Sequence, residues 1–480
     1  MTFVKSNMLR LINPNHIKRA NEKRLLLMAI TLTILNVLSL MDHELQAQVS
    51  ERDSLYNLTQ QDYDDMKQKL GLKAAMRPGP SGDPSAANAA NTDESKVRSY
   101  SLPDPLIAKD GKKVTSQGGW EEERRPQIVQ DLETEMYGAL PANLPAVTWH
   151  VVSEKDTVIA NFPVTERLLV GKVDNASHPE IDVQIELLVG VPTAVTAEVP
   201  LVMEFGFIRW PFGNPSAEPA SYFMSPYEPR WKQQLLAKGW GYAVLVPSSI
   251  QPDHGAGLRT GIIGLANKGK FRRPEQWGVL RAWAWGASQA MDYFESDPNV
   301  DASRIGIEGT SRYGKAALVT MAFDNRFSLG FIGSSGAGGA SILRRNFGEQ
   351  VENLTSSAEY HWFCGNFLKY GSDLAVDDLP VDAHSLLALC APRPVFISVG
   401  SPFIEGQWVD ARGMFLGGVQ ASPVYELLGK KGLGTSEFPE MGTALTDGEV
   451  AFRQHAGGHS TGPNWSTWIA WASRYWNTGL

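Results

Sequence analysis

The chain has 480 residues, 43% of them hydrophobic and 20% charged, and a net charge of −8. This composition supports a sizeable packed core, and the acidic balance excludes a polyanion as the main ligand, because nucleic-acid binding draws on a basic surface. Two cysteines, Cys364 and Cys390, are too few for a disulfide scaffold. Both stand in apolar runs and are expected as buried free thiols.

The first fifty residues read as a targeting segment. Lys18, Arg19, Lys23 and Arg24 lead into the apolar run 25–40, which is shorter than the ~20 residues of a membrane span and suits a signal-peptide core. Leu45-Gln46-Ala47 before Gln48 offers a small-residue cleavage site, so 1–47 is expected as a signal peptide. The body of the chain is then secreted or periplasmic, with no stable membrane contact after cleavage. Residues 48–98 turn polar and then rich in Ala, Asn, Pro and Gly, notably over 77–84, and predict an extended arm or linker. The catalytic body is expected over 99–480.

Within the body, Ile128, Leu132 and Met136 recur at spacing four and predict a helix over 127–137, stopped by Gly138. Runs rich in Val, Ile and Leu predict strands over 147–152, 166–173, 181–191 and 199–205. An aromatic loop follows over 207–212. A helix over 232–238, a buried strand over 239–246 and an amphipathic helix over 275–294 come next, with further strands over 329–333 and 394–399. This alternation predicts an α/β fold with a mostly parallel central sheet covered on both faces. Ligands of such sheets lie outside the carboxyl ends of the strands. Fourteen tryptophans and thirteen tyrosines belong mainly to that core.

One turn lies at such an end. The apolar run 304–308 leads through Gly309-Thr310-Ser311-Arg312-Tyr313-Gly314-Lys315 into a helical stretch, the layout of a nucleophile elbow. The second glycine is displaced by one residue from the common G-x-S-x-G. A serine hydroxyl needs a base, and the base a carboxylate to orient it, in the chain order Ser, acid, His for this fold. His361 and His384 have apolar neighbours and read as packed structural histidines. His459, on a glycine-rich loop before the terminal helix 465–475, is favoured as the base, with His455 as its competitor. For the acid, Glu405 lies nearer the end of the strand over 394–399, and Asp410, five residues on, is the alternative. None of the four histidines after Ser311 has a metal-ligand context, and neither metal nor cofactor is expected.

With these residues in place, the chain resembles the glucuronoyl esterases of carbohydrate esterase family fifteen, from about Arg77 onward. The resemblance rests on Gly309 to Lys315, matching the family's G-x-S-R-x-G-K, and on 273–278 with 282–286, 335–339, His361-Trp362-Phe363-Cys364 and 387–395. It implies an α/β-hydrolase three-layer sandwich. It also implies a serine esterase acting on esters of 4-O-methyl-glucuronic acid, as in lignin–xylan cross-links, through an acyl-enzyme. By resemblance, Ser311 is the nucleophile, His459 the base and Arg312 an oxyanion donor, while Lys315, Glu349 and Trp408 hold the uronate. Many members carry a glutamate where this chain has Ser334, and others place the acid after the next strand; this chain is of the second kind. An acetyl or feruloyl esterase, or a weakly active sugar-binding homologue, is the alternative. The partner expected is glucuronoxylan or another uronic-acid ester, and the chain is expected to act as a monomer.

Overall fold

The computed structural model describes residues 52–193, 197–208 and 230–476. The expected signal segment and most of the aromatic loop 207–212 lie outside the described residues. The chain divides into two units, 1–58 and 59–480. Of the first, 52–58 is described and is helical.

The second unit opens on a helix over 59–70 (α1), followed by an irregular stretch to residue 98. This part, expected within an extended arm or linker, runs along the body. Its backbone polar groups find partners without regular structure, because long side chains reach the body's main chain. Arg77 donates to the carbonyls of Tyr370 and Leu374 and pairs with Glu352 at 3.0 Å. Tyr63 donates to the Thr355 carbonyl at 2.7 Å, and Tyr360 to Asp62 at 2.9 Å. Glu94 pairs with Arg345 at 2.8 Å. The Pro- and Gly-rich composition that reads as a linker is here a strap laid over the body.

Next come α2 (Arg125–Glu135), β1 (Val147–Ile159), β2 (Phe162–Val173), β3 (Gln184–Pro192) and β4 (Val199–Phe205). They are followed by α3 (Trp231–Leu236), β5 (Gly241–Leu245), α4 (Val279–Phe294), β6 (Val300–Thr310) and α5 (Arg312–Phe323). The chain continues with β7 (Leu329–Gly333), α6 (Ala383–Leu389), β8 (Val395–Val399), α7 (Ala411–Leu427), β9 (Ala444–Leu445), β10 (Val450–Gln454) and α8 (Trp465–Ala472). The sheet order is β1-β2-β3-β5-β4-β6-β7-β8-β10-β9. From β5 to β10 neighbouring strands are parallel, and the β1-β2-β3 meander and β9 add antiparallel edges.

Side-chain alternation divides the core into two layers. Leu201, Met203, Ile305, Ile307, Ile332 and Ile397 face α4, α5, α6 and α7. Val202, Val244, Phe331 and Phe396 face α3 and α8, where Trp231, Trp465, Trp468, Trp471 and Trp476 fill the layer. Trp231 stacks on Trp465 at 5.3 Å and Phe331 on Trp468 at 5.3 Å. The tryptophans are therefore mainly core, as expected. Helix α5 is buried almost all round: Ala316, Ala317, Leu318, Val319, Met321 and Ala322 are inaccessible. Removing Leu318 beyond Cβ would cost about 2–5 kcal/mol, so the helix behind the serine turn is rigidly held.

The expected helix over 275–294 starts four residues late, at Val279. A side chain at Gly278 would sit 2.3 Å from the Trp362 carbonyl oxygen, and this close approach keeps 272–278 irregular. Cys364 and Cys390 are free and buried, and burial pushes each thiol up to about 12. Among the described residues no helix is long and apolar enough to cross a membrane.

Candidate active site

Ser311 joins β6 to α5 with φ 63° and ψ −130°, a region costly for a residue with a Cβ. Serine at a helix start normally caps it by accepting from the N–H groups of the first turn. Ser311 makes no such bond, so its hydroxyl is not spent on the helix. Its N–H donates to the Gly333 carbonyl at 2.9 Å, fixing the turn against β7. The displaced glycine has its cause in the same contact: a Cβ on Gly314 would lie 2.4 Å from the Gly333 oxygen, and one on Gly309 would lie 2.2 Å from the Tyr313 oxygen.

The loop carrying His459 lies over the carboxyl ends of β6, β7 and β8. Thr461 donates to the Glu308 carboxylate at 2.7 Å, three residues before Ser311, and a Cβ on Gly333 would meet the Thr461 methyl at 2.3 Å. Asn464 donates to Ser398 Oγ at 2.9 Å. His459 Nδ1 meets Glu405 Oε1 at 2.6 Å, and the other Glu405 oxygen accepts from the Gly400 N–H at 2.6 Å. The Glu405 side chain is inaccessible and the His459 ring 27% exposed, a buried carboxylate below an imidazole that solvent reaches. Gly400 must be glycine here, since a Cβ would lie 2.5 Å from the Gly458 oxygen. Trp408 packs beside the His459 ring, centroids 5.2 Å apart, and donates from Nε1 to the Glu405 carbonyl at 3.0 Å. No hydrogen bond joins Ser311 Oγ to His459 among the described residues; such bonds are often loose before substrate binds.

The competing residues have other occupations. Asp410 (φ 54°) caps α7 through the Gly413 N–H at 2.8 Å and accepts from Arg345 at 2.9 Å and Ser341 at 3.1 Å. His455 is buried, accepts from the Gly457 N–H on Nδ1 at 3.1 Å and donates from Nε2 to the Ser460 carbonyl at 2.8 Å. Both of its nitrogens shape the turn that presents His459, and burial lowers its affinity for a proton. Ser334, the residue after β7, has φ 43° and is buried with an unpartnered hydroxyl. His361 and His384 are buried, as expected of structural histidines.

On the other side of Ser311 lies a charged cluster. Arg312 pairs with Asp253 at 2.5 Å, and Asp253 also accepts from His361 Nε2 at 3.0 Å and Trp362 Nε1 at 2.7 Å. Burial alone would raise the Asp253 carboxyl, but these donors together hold it well below the usual carboxylate range. Lys315, 3% exposed, pairs with Glu349 at 3.4 Å and lies over the Trp362 ring at 5.4 Å. The Glu349 N–H donates to the Trp408 carbonyl at 3.0 Å, which links the cluster to the loop after β8.

Sequence reasoning missed Asp253, which no local pattern marks, and Glu359. Burial, then the neighbouring Glu349, pushes the Glu359 carboxyl up to about 7 against the pull of Lys315 and Arg312. One of its oxygens has no partner among the described residues. Its signal was position: it stands two residues before His361 in a motif already singled out.

The family model described as glucuronyl esterase, fungi, matches residues 269–429. A carbohydrate esterase, MZ0003, from an unknown prokaryotic organism is 32% identical over 413 residues, 81% of this chain and 93% of that protein. The 4-O-methyl-glucuronoyl methylesterase 1 of Wolfiporia cocos is 28% identical, over 75% of this chain and 80% of its own length. Among solved structures, a CE15 glucuronoyl esterase from Teredinibacter turnerae superposes with a TM-score of 0.80 at 41% identity, covering 87% of this chain and all of that one. The elbow, the sheet order and this similarity over most of the chain agree, and the chain belongs to the CE15 glucuronoyl esterase family.

Proposed function

We propose that the chain is a serine esterase that hydrolyses esters of 4-O-methyl-glucuronic acid, the acid named for its Wolfiporia cocos relative. Ser311 Oγ attacks the ester carbonyl while His459 Nε2 takes its proton. Nδ1 is committed to Glu405 at 2.6 Å, so the tautomer suits a base on Nε2, and the carboxylate stabilises the imidazolium as it forms. The first N–H groups of α5 have no acceptor within the helix. The Arg312 N–H, with its own guanidinium braced by Asp253, stabilises the oxyanion; donors aimed at developing charge are commonly the largest catalytic contribution. His459 then protonates the departing alcohol, and water attacks the acyl-enzyme by the same route in reverse.

Lys315 carries the choice of acyl group. A buried cation one helical turn past the nucleophile, paired with Glu349 at 3.4 Å and lying over the Trp362 ring, has donors to offer the hydroxyls of a sugar acid. Glu349 and Glu359 accept from such hydroxyls, and Trp408 gives the ring an apolar face. An acetyl group would leave this cluster unused. The test is turnover of benzyl glucuronate beside acetylated xylan and a feruloyl ester. Preference for the glucuronate is expected, and preference for either of the others would sink the reading.

The basic approach to the apolar run 25–40 supports export, with 1–47 removed. N-terminal sequencing of the mature protein is expected to begin at Gln48.

A further inference from the structure

We propose that Glu308 is a positioning residue for His459: through the Thr461 hydroxyl it ties the histidine loop to the strand that carries Ser311, and so sets the gap between base and nucleophile. The inference rests on the serine-esterase mechanism above.

The loop 455–464 is otherwise held from the far side. The His455 N–H donates to the Val399 carbonyl at 2.9 Å, and the Gly457 carbonyl accepts from the Ser401 N–H at 2.8 Å. Asn464 donates to Ser398 Oγ at 2.9 Å and to the Arg453 carbonyl at 3.0 Å, while His459 itself meets Glu405. These partners belong to β8, β10 and the turn after β8, so they fix His459 relative to its acid and not relative to the serine. Among the described residues one hydrogen bond of the loop reaches β6, from Thr461 Oγ1 to Glu308 Oε1 at 2.7 Å. Thr461 stands two residues after His459, and Glu308 three before Ser311. The stretch between Glu308 and Ser311 is held in turn by β7, through the pairing of Glu308 with Phe331 and of Thr310 with Gly333 and through the Ser311 N–H on the Gly333 carbonyl. Base and nucleophile are thus referred to one carboxyl.

Packing alone does not account for an acid at this position. Glu308 is 1% exposed, and its alternation with Ile305 and Ile307 turns it toward the layer of Val202, Val244, Phe331 and Phe396. Its neighbour in register on β4 is a second acid, Glu204, and two acids side by side in a buried layer weaken a sheet. Burial, then Glu204, favours the uncharged carboxyl, with Thr461 and Thr310 as its other polar neighbours and Lys232 beyond Glu204. What the side chain supplies there is an acceptor for the loop. The stake is large, because misplacing a reacting group by about 1 Å can cost about 10²-fold in rate.

The test compares Thr461→Val, which removes the hydroxyl and keeps the methyl against Gly333, with Thr461→Ser, which keeps the hydroxyl. Glu308→Leu and Glu308→Gln form the matching pair, the glutamine oxygen still accepting from Thr461. The readouts are kcat and KM on benzyl glucuronate, the rate at which a phosphonofluoridate labels Ser311, and melting curves. Thr461→Val and Glu308→Leu are expected to lower kcat and the labelling rate together by about 10- to 100-fold with KM little moved, and Thr461→Ser and Glu308→Gln to recover most of the loss. Should Glu308→Leu fail to fold, the Thr461 pair decides alone. A folded Thr461→Val with unchanged kcat and labelling, or an equal loss in Thr461→Ser, overturns the positioning role. A wild type labelled at Ser311 but inactive on the glucuronate overturns the uronate reading, and the labelling rates still decide the role of Glu308. A wild type not labelled at Ser311 overturns both.

Discussion

Two helix starts in this protein share an unusual backbone and use it in opposite ways. Ser311, before α5, and Asp410, before α7, both hold φ near 60°, at 63° and 54°. Asp410 turns its carboxylate back onto its helix, capping Gly413 and neutralising the buried Arg345. Ser311 has ψ −130°, which carries its hydroxyl off the helix, and it caps nothing. Local strain therefore does not mark a catalytic residue by itself. What distinguishes the two is whether the side chain has been left without structural work.

That contrast can be broken most directly at the serine. Ser311→Ala is expected to lower kcat by about 10⁴ or more with the melting temperature nearly unchanged, because no cap is lost. Retained binding of glucuronate, read by calorimetry, should accompany the loss; an active alanine variant would overturn the mechanism.

The two acids of the same loop sharpen it next. Glu405→Ala should cut kcat about 10²- to 10⁴-fold with KM little moved. Asp410→Ala should instead destabilise by about 1–3 kcal/mol, since it removes the cap of α7 and one of the two carboxylates on the buried Arg345, leaving Glu94 as its partner. Denaturant melts and kinetics on both variants decide the assignment, and a large kcat loss at Asp410 in folded protein would reverse it.

Smaller effects test the acyl side. Lys315→Met keeps the buried stem and removes the charge, and should cost about 10- to 100-fold in kcat/KM for glucuronate esters. An equal loss on a simple acetate ester would show that Lys315 supports the fold rather than the sugar.

The smallest effect concerns pH. Glu308, beside Glu204 in the sheet register, is raised well above 4.5 by burial and then by Glu204, while Glu204 itself is pushed up by burial to about 7 against nearby Lys232. Between pH 4.5 and 7 these two sites thus bind more protons in the folded protein than in the unfolded chain. These groups stabilise fully below the unfolded value, and their contribution is lost as pH rises. Glu308→Gln should therefore show a smaller fall in melting temperature between pH 5 and 8 than the wild type. An equal fall would show that Glu308 is not a source of it.

The sequence and the structure part company where partners are distant in the chain. The elbow was legible because its determinants are local: an apolar strand, a serine corner and glycines that admit close backbone approach. The parallel sheet was legible from the spacing of its buried runs. Glu405 and Asp410 were not separable, because each is assigned by partners 54 and 65 residues away, His459 and Arg345. Asp253 was invisible for the same reason, lying 59 residues from Arg312. Composition left open whether residues 59–98 pack on the body, because their order comes from side-chain bonds to distant carbonyls, which composition does not encode.

The strap has a consequence for where this enzyme can be cut. Through Glu94, Arg345 and Asp410 it reaches the cap of α7, and through Asp62 it satisfies the Tyr360 hydroxyl next to the His361–Trp362 pair. Trimming the chain at residue 99 would uncover a cation and a phenol next to the acid loop and the Asp253 cluster. The polar, proline-rich lead is thus bonded to the body beside the acid loop and the Asp253 cluster, and cutting there breaks contacts that a free tether would not have.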